Sequence, residues 1–316
     1  MDLRTAVLMA FVACAQTRAP LPTAETIAAE DPIELPAAFA GTLPCADCPG
    51  LETRLTLLDP GRYVLEETYL ERGSFVSRGT WQQTAGVLRL VPRGGGERLF
   101  QRMGPSRLVP LDAQGRPIEA GADLGLERID PPQLHYGRLQ PVDERVRLVE
   151  CEGSRLLPID DATPDRQIRE AIRPFETEAF GDLLGYVNAD GTALVVLEAE
   201  RIAADAEGCL HLPAADVRAE ARAADWGMTV DARQVRLTLP AGEAAAWPTA
   251  PFRWRDGAWR FASASEVAIG EIELRPGRCA DPSATASYAW TATLVLDGAR
   301  HVGCASLGPA WTELGR

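Results

Sequence analysis

Two cysteines carry the densest chemistry in the sequence. Cys45 and Cys48 stand two residues apart in "GTLPCADCPGLET". Thiols at this spacing can cycle between dithiol and disulfide, clamp a soft metal, or staple a loop. In thioredoxin-like enzymes such a pair opens a helix, whose dipole lowers the pKa of the first thiol. Here Pro49-Gly50 follows, then the strand-like alternation of Leu51, Thr53, Leu55 and Leu57, with no βαβ pattern around it. Catalytic disulfide exchange is therefore disfavoured. A CxxC disulfide closes a very small ring and adds modest stability. If exposed, it is among the bonds reduced most readily. That suits a reporter of failed oxidation. Two thiolates also suit Cu(I), so copper is the alternative occupant of Cys45 and Cys48. A closed zinc site needs two more ligands, and His135, His211 and His301 lie far off in sequence. Only four methionines are present, and there is no His- or Met-rich tract.

The other cysteines depend on compartment. There are seven: Cys14, Cys45, Cys48, Cys151, Cys209, Cys279 and Cys304. An odd count in an exported chain leaves one unpaired, and position singles out Cys14. Residues 1–13 place Arg4 before an apolar run from Ala6 to Ala13, too short to span a bilayer but fitting a signal peptide. "Phe11-Val12-Ala13-Cys14" resembles a bacterial lipoprotein signal, in which Cys14 becomes the lipidated first residue. Ordinary cleavage around Ala13-Cys14-Ala15 and a misplaced start codon are the other readings. Ala15, rather than aspartate, after Cys14 points to the outer membrane, where acyl chains would anchor the protein. Six cysteines then face an oxidising periplasm. Cys151 with Cys209, and Cys279 with Cys304, each bracket one unit and are expected to be structural disulfides.

These residues must be positioned by short strands. Gln16 to Ala37 is rich in Ala, Pro, Thr and Glu and reads as a tether, giving 14–37 for the lipidated cysteine and linker. From residue 38 to 130, alternating segments ("LETRLTLL", "RYVLEETYL", "FVSRGTW", "VLRLVP", "RLFQRM") are separated by turns such as Asp59-Pro60-Gly61 and Gly94-Gly95-Gly96. This predicts an antiparallel barrel or sandwich. Residues 140–212 read as strands around one short helix over Pro164–Arg173, with Thr163 as N-cap, fitting an OB-type barrel. Residues 213–316 read as a third small β domain, with hairpins turned at Asp256-Gly257 and Asp297-Gly298. The fold class is mainly β.

Composition excludes several partners and activities. The formal net charge is −13, and no lysine is present. Such a chain is a poor match for nucleic acid, where phosphate neutralisation dominates affinity. The motifs G-x-S-x-G, H-E-x-x-H and G-x-x-x-x-G-K-[ST] are absent, so no enzyme is expected. The acid pairs Glu66-Glu67 and Asp160-Asp161 read as solvated surface. Neighbours along a strand face opposite ways, so Glu66 and Glu67 cannot share one site. Trp81, Trp254, Trp259 and Trp290 alternate within strands and read as core.

"FAGTLPCADCPGLETRLTL", "YVLEETYL", "RGTW" and "LVPLDAQGRPIE" occur in that order, and together they resemble the NlpE family, the copper resistance or new lipoprotein E proteins of the bacterial outer membrane. The resemblance covers about Ala38 to Arg128. It implies a small lipocalin-like β-barrel. "CEGSRLLPI", the short helix and the closing cysteine are similar, more weakly, to the family's C-terminal OB-like domain. The third unit resembles an uncharacterised β domain of envelope proteins that typical members lack. By this resemblance the chain is an outer-membrane lipoprotein facing the periplasm. It would signal adhesion, lipoprotein-sorting or redox stress to a Cpx-type sensor kinase, with a link to copper tolerance. Direct Cu(I) binding, and an inhibitor module gripping a protein or an apolar ligand, are the alternatives.

Overall fold

The computed structural model of the protein describes residues 32–308, except 46, 60, 70–71, 119–123, 154, 176–178, 205–208, 210–216, 222–225, 240–243, 265–268 and 282–285. Cys14, the signal segment and most of the tether lie outside the described residues.

Eight strands close the first barrel in chain order: β1 (Ala37–Leu43), β2 (Leu51–Asp59), β3 (Arg62–Tyr69), β4 (Gly73–Thr84), β5 (Val87–Pro92), β6 (Arg98–Met103), β7 (Arg107–Leu111) and β8 (Leu126–Ile129). The two-residue alternation sets the register. It sends Leu55, Leu57, Tyr63, Leu65, Leu88 and Leu90 into one core with Phe39, Phe100 and Leu126. Each such burial contributes about 1.5–3 kcal/mol. Gly79 of β4 leaves no room for a side chain against β5: a Cβ there would lie 2.0 Å from the Val91 carbonyl oxygen. Strand β8 has no sequence counterpart in the reading above. It pairs with β1 at Ala38–Ala40 and closes the barrel just before Asp130.

A five-stranded barrel follows: β9 (Gln133–Val142), β10 (Arg145–Glu150), β11 (Leu156–Asp161), β12 (Ala179–Val187) and β13 (Leu194–Ala203). Strand β9 pairs with β10 and β12, β10 with β11, and β12 with β13; β11 closes the ring by parallel pairing with β13. This is the order of an OB-type barrel, and α1 (Ile168–Ile172) fills the β11–β12 connection. The helix is shorter than the sequence suggests. A 3-10 turn at Pro164–Arg166 precedes it, with Asp165 at φ 59° and Arg166 at φ 50°. Thr163 accepts from the Gln167 N–H at 2.9 Å, and Asp161 accepts from the Ile168 N–H at 3.0 Å. Asp161 thus satisfies the first helical N–H, a task the sequence reading gave to Thr163 alone.

The remaining strands are β14 (Val217–Ala221), β15 (Trp226–Val230), β16 (Gln234–Thr238), β17 (Ala244–Pro248), β18 (Arg253–Arg255), β19 (Ala258–Ala264), β20 (Ile269–Asp281), β21 (Ala286–Leu296) and β22 (Ala299–Leu307). They run in the order β18-β19-β20-β21-β22-β14-β15-β16-β17. One core holds Trp226, Trp247, Trp259, Trp290, Phe252 and Phe261. The turns at Asp256-Gly257 and Asp297-Gly298 have positive φ at both residues, the requirement of a two-residue hairpin. Antiparallel pairing of β13 with β21 joins this sheet to the five-stranded barrel.

Candidate functional site

Cys45 and Cys48 sit in the β1–β2 turn, at one end of the first barrel, and are joined as a disulfide. Cys45 is half-buried against the barrel core, alongside Tyr69. Between the cysteines, Asp47 is exposed and held by Arg72 of the next hairpin. The Arg72 guanidinium donates to the Asp47 carboxylate at 2.7 Å and to its carbonyl at 2.7 Å. The disulfide loop is thus clipped to the β3–β4 turn by one exposed ion pair, worth at most about 1 kcal/mol. Asp47 is exposed, while Cys45 and Cys48 on either side of it are each half-buried.

Joined to each other, the two sulfurs offer no thiolate to a metal. Among the described residues, no group of three or more His, Cys, Asp or Glu side chains converges as a metal site. His135 pairs with Glu150 at 2.7 Å in the five-stranded barrel, and His301 lies on β22. His211 lies outside the described residues.

The other disulfides are Cys151–Cys209 and Cys279–Cys304, spanning 58 and 25 residues. The second lies beside the β13–β21 seam, in a small cluster with Ala203, Ala286 and Tyr288.

Where the three sheets meet, a set of charges is enclosed. Arg62, at the start of β3, donates to Asp59 at 2.6 Å and to Glu198 of β13 at 3.0 Å. Its guanidinium carbon lies 4.6 Å from the ring centre of Trp290 on β21. Burial opposes the Arg62 charge, but Asp59 and Glu198 more than offset it and hold the guanidinium protonated. Two residues on, Glu200 accepts from the Trp290 indole N–H and the Leu307 backbone N–H, each at 3.0 Å. Burial, with Glu198 close by, pushes the Glu200 carboxyl up to about 8. Burial likewise raises Asp59, against the pull of Arg62. Around this polar knot, Leu58 and Val64 of the first barrel pack on Val195 and Leu197 of the second. Arg78 donates to the carbonyls of Ala162 and Leu197.

The paired acids depart from the solvated reading, though their opposite facing holds. Glu67 points into the first barrel, where it is buried and bonded by Arg98 at 2.8 Å. Glu66 points out to the second barrel and accepts from the Tyr186 hydroxyl at 2.9 Å. Arg54 lies over the Tyr186 ring at 3.5 Å. Burial raises the Glu66 carboxyl despite these neighbours. Asp161 is held by the β11–α1 turn, while Asp160 is exposed. The sequence reading missed Arg62, Glu198 and Glu200. Arg62 shares the outward face of β3 with Val64, which packs on Val195 and Leu197 of the second barrel, and the sequence carries no sign of what that face meets.

Residues 39–121 match the family model "NlpE N-terminal domain". Lipoprotein NlpE of Escherichia coli strain K12 is 30% identical over 194 residues, which are 58% of this chain and 81% of that protein. The crystal structure of the Cpx pathway activator NlpE from Escherichia coli matches at 27% identity, over 56% of this chain and 99% of that one, with a TM-score of 0.25. With 30% identity across four-fifths of a curated relative, this chain belongs to the NlpE lipoprotein family.

Proposed function

We propose that this chain is an outer-membrane-anchored, periplasm-facing lipoprotein that reports envelope stress to a Cpx-type sensor kinase without catalysing a reaction. Cys14 is its lipidation site, and residues 14–37 are the tether. Cys45–Cys48 is its redox-responsive element. The observation that carries this reading is the placement of the CxxC, within the matched family region, as a disulfide on an exposed turn held by Arg72 alone among the described charges. Reduction would leave Arg72 on Asp47 as the charge that holds that turn, which is the behaviour a reporter needs. The disulfides Cys151–Cys209 and Cys279–Cys304 close longer loops and act as structural ties. A link to copper tolerance follows on the same thiols: a reduced pair is a Cu(I) ligand set.

The test is a Cpx-regulated reporter in a host lacking its own NlpE. Overproduction of the wild-type chain should raise the reporter. The Cys45→Ser/Cys48→Ser chain, which mimics permanent reduction, should raise it further at equal protein level. A reporter that ignores the wild-type chain contradicts the signalling role. Equal responses from the two chains contradict the redox role.

A further inference from the structure

The wall of the first barrel is parted on one side. Strand β4 pairs with β3 from Gly73 to Thr80, but with β5 only from Gly79 to Thr84. The last bond across that seam is the Arg93 N–H to the Arg78 carbonyl, at 3.0 Å. Above it, Gly73–Ser77 has no strand on its outer side among the described residues. In an antiparallel strand, alternate residues direct their N–H and C=O groups to that side. Both faces of this stretch are also open: Phe75 is 59% and Val76 49% exposed. Across the gap, nothing lies within 4 Å of a Cβ built on Gly94, Gly95 or Gly96. An open apolar edge of this kind is what soluble proteins normally cover, charge or shorten.

The edge borders a groove of about 1420 Å³ between the two barrels. Glu66, directly across from Val76 on β3, lines it. Its Oε2 atom is buried and has no hydrogen-bond partner among the described residues. Asp160, also lining the groove, adds a second negative charge that acts on Glu66. Arg54 and Arg78 flank Glu66 but are directed elsewhere, to the Tyr186 ring and the Asp130 carbonyl, and to the Ala162 and Leu197 carbonyls. Glu66 Oε2 is thus left without a hydrogen-bond donor.

We propose that this edge is a docking site for an extended, basic segment of a partner protein, added as a strand alongside Gly73–Ser77. The main chain of the segment pairs with β4. Its residues on the Phe75 side are apolar and pack beside the Phe75–Tyr69 ring pair, whose centroids are 5.5 Å apart. Its residues on the Val76 side are lysine or arginine and reach across Val76 to Glu66 and Asp160. The proposal stands on the edge and the groove, whichever signal the chain reports.

The probes are two short synthetic peptides of alternating sequence, lysine–valine and glutamate–valine, each titrated into the full chain. The lysine peptide should bind at least about tenfold more tightly than the glutamate peptide. It should slow amide hydrogen exchange at Gly73–Ser77. Val76→Lys, at an exposed position, should weaken the lysine peptide about tenfold. Glu66→Gln should narrow the gap between the two peptides. Equal affinities, protection elsewhere in the chain, or no binding would overturn the proposal. So would protection of Gly73–Ser77 that rises with protein concentration alone, which would mean that a second copy covers the edge.

Discussion

The guanidinium carbon of Arg62 lies 4.6 Å from the ring centre of Trp290, so the first barrel rests a charge on the core of the third sheet. The ring is fully buried and its N–H is fixed by Glu200 at 3.0 Å. Arg62 itself bridges Asp59 and Glu198. Five residues from three sheets therefore share one joint, and removing a single member strands its partners.

Arg62→Leu should be severely destabilising. Asp59 would be left buried without its cation, and Glu198 would keep only the more distant Arg78, which costs about 3–5 kcal/mol. Urea unfolding of the purified chain, followed by tryptophan fluorescence, reads this directly. A loss below about 1 kcal/mol would place the pair among surface bridges.

Trp290 makes two separable contributions. Trp290→Phe keeps a ring beneath Arg62 but drops the N–H to Glu200, at a cost of about 1–3 kcal/mol. Trp290→Ala also opens a cavity in the third core, at about 3–5 kcal/mol. Comparing the two variants isolates the indole bond from the packing.

Stability should fall as pH rises through neutrality. The Glu200 carboxyl is held at about 8 in the folded protein, against about 4.3 in an unfolded chain. The native state then binds the extra proton between these values. Its contribution is fully present below about pH 4 and lost as pH climbs towards 8. Asp59 is shifted in the same direction. Glu200→Gln keeps an acceptor for the Trp290 and Leu307 N–H groups but removes the proton. The melting temperature of Glu200→Gln should therefore vary less with pH from 5 to 9 than that of the wild type, in a differential scanning measurement.

The three disulfides should differ in what their loss costs. By loop length, with separations of 3, 58 and 25 residues, Cys45–Cys48 constrains the unfolded chain least, by about 2 kcal/mol, and Cys151–Cys209 most, by about 4 kcal/mol. Cys45→Ala/Cys48→Ala should lower the unfolding midpoint about half as much as Cys151→Ala/Cys209→Ala does. Equal shifts would mean that the CxxC staples the barrel rather than reporting on it.

Much of the scaffold can be read from local chemistry. Alternating leucines in β2, and the Asp-Gly turns at 256–257 and 297–298, announce strands and hairpins because they depend only on near neighbours. Short strands escape: β8 offers four residues, Leu-Glu-Arg-Ile, before a proline pair, and its pairing partner β1 lies almost ninety positions earlier in the chain. The start of β9 at Gln133 is hidden by the same prolines, seven residues ahead of the expected start of the second unit at residue 140. The joint was illegible for another reason. Glu198 and Glu200 alternate with Leu197 and Ala199 as they would on a strand facing water, and a strand's outer face looks the same whether solvent or a second barrel covers it. The CxxC was legible as chemistry, but its clip, Arg72 on Asp47, joins two turns far apart in sequence.

The most direct measurement is a peptide mass map, made without reduction, of the protein taken from native envelopes before and after a brief pulse of mild reductant. The expected result is a diacyl or triacyl mass on Cys14 and a Cys45–Cys48 disulfide that opens during the pulse while Cys151–Cys209 and Cys279–Cys304 stay closed. An unlipidated Cys14, or a Cys45–Cys48 bond that outlasts the other two, would contradict an anchored protein with its redox-responsive element on the first barrel.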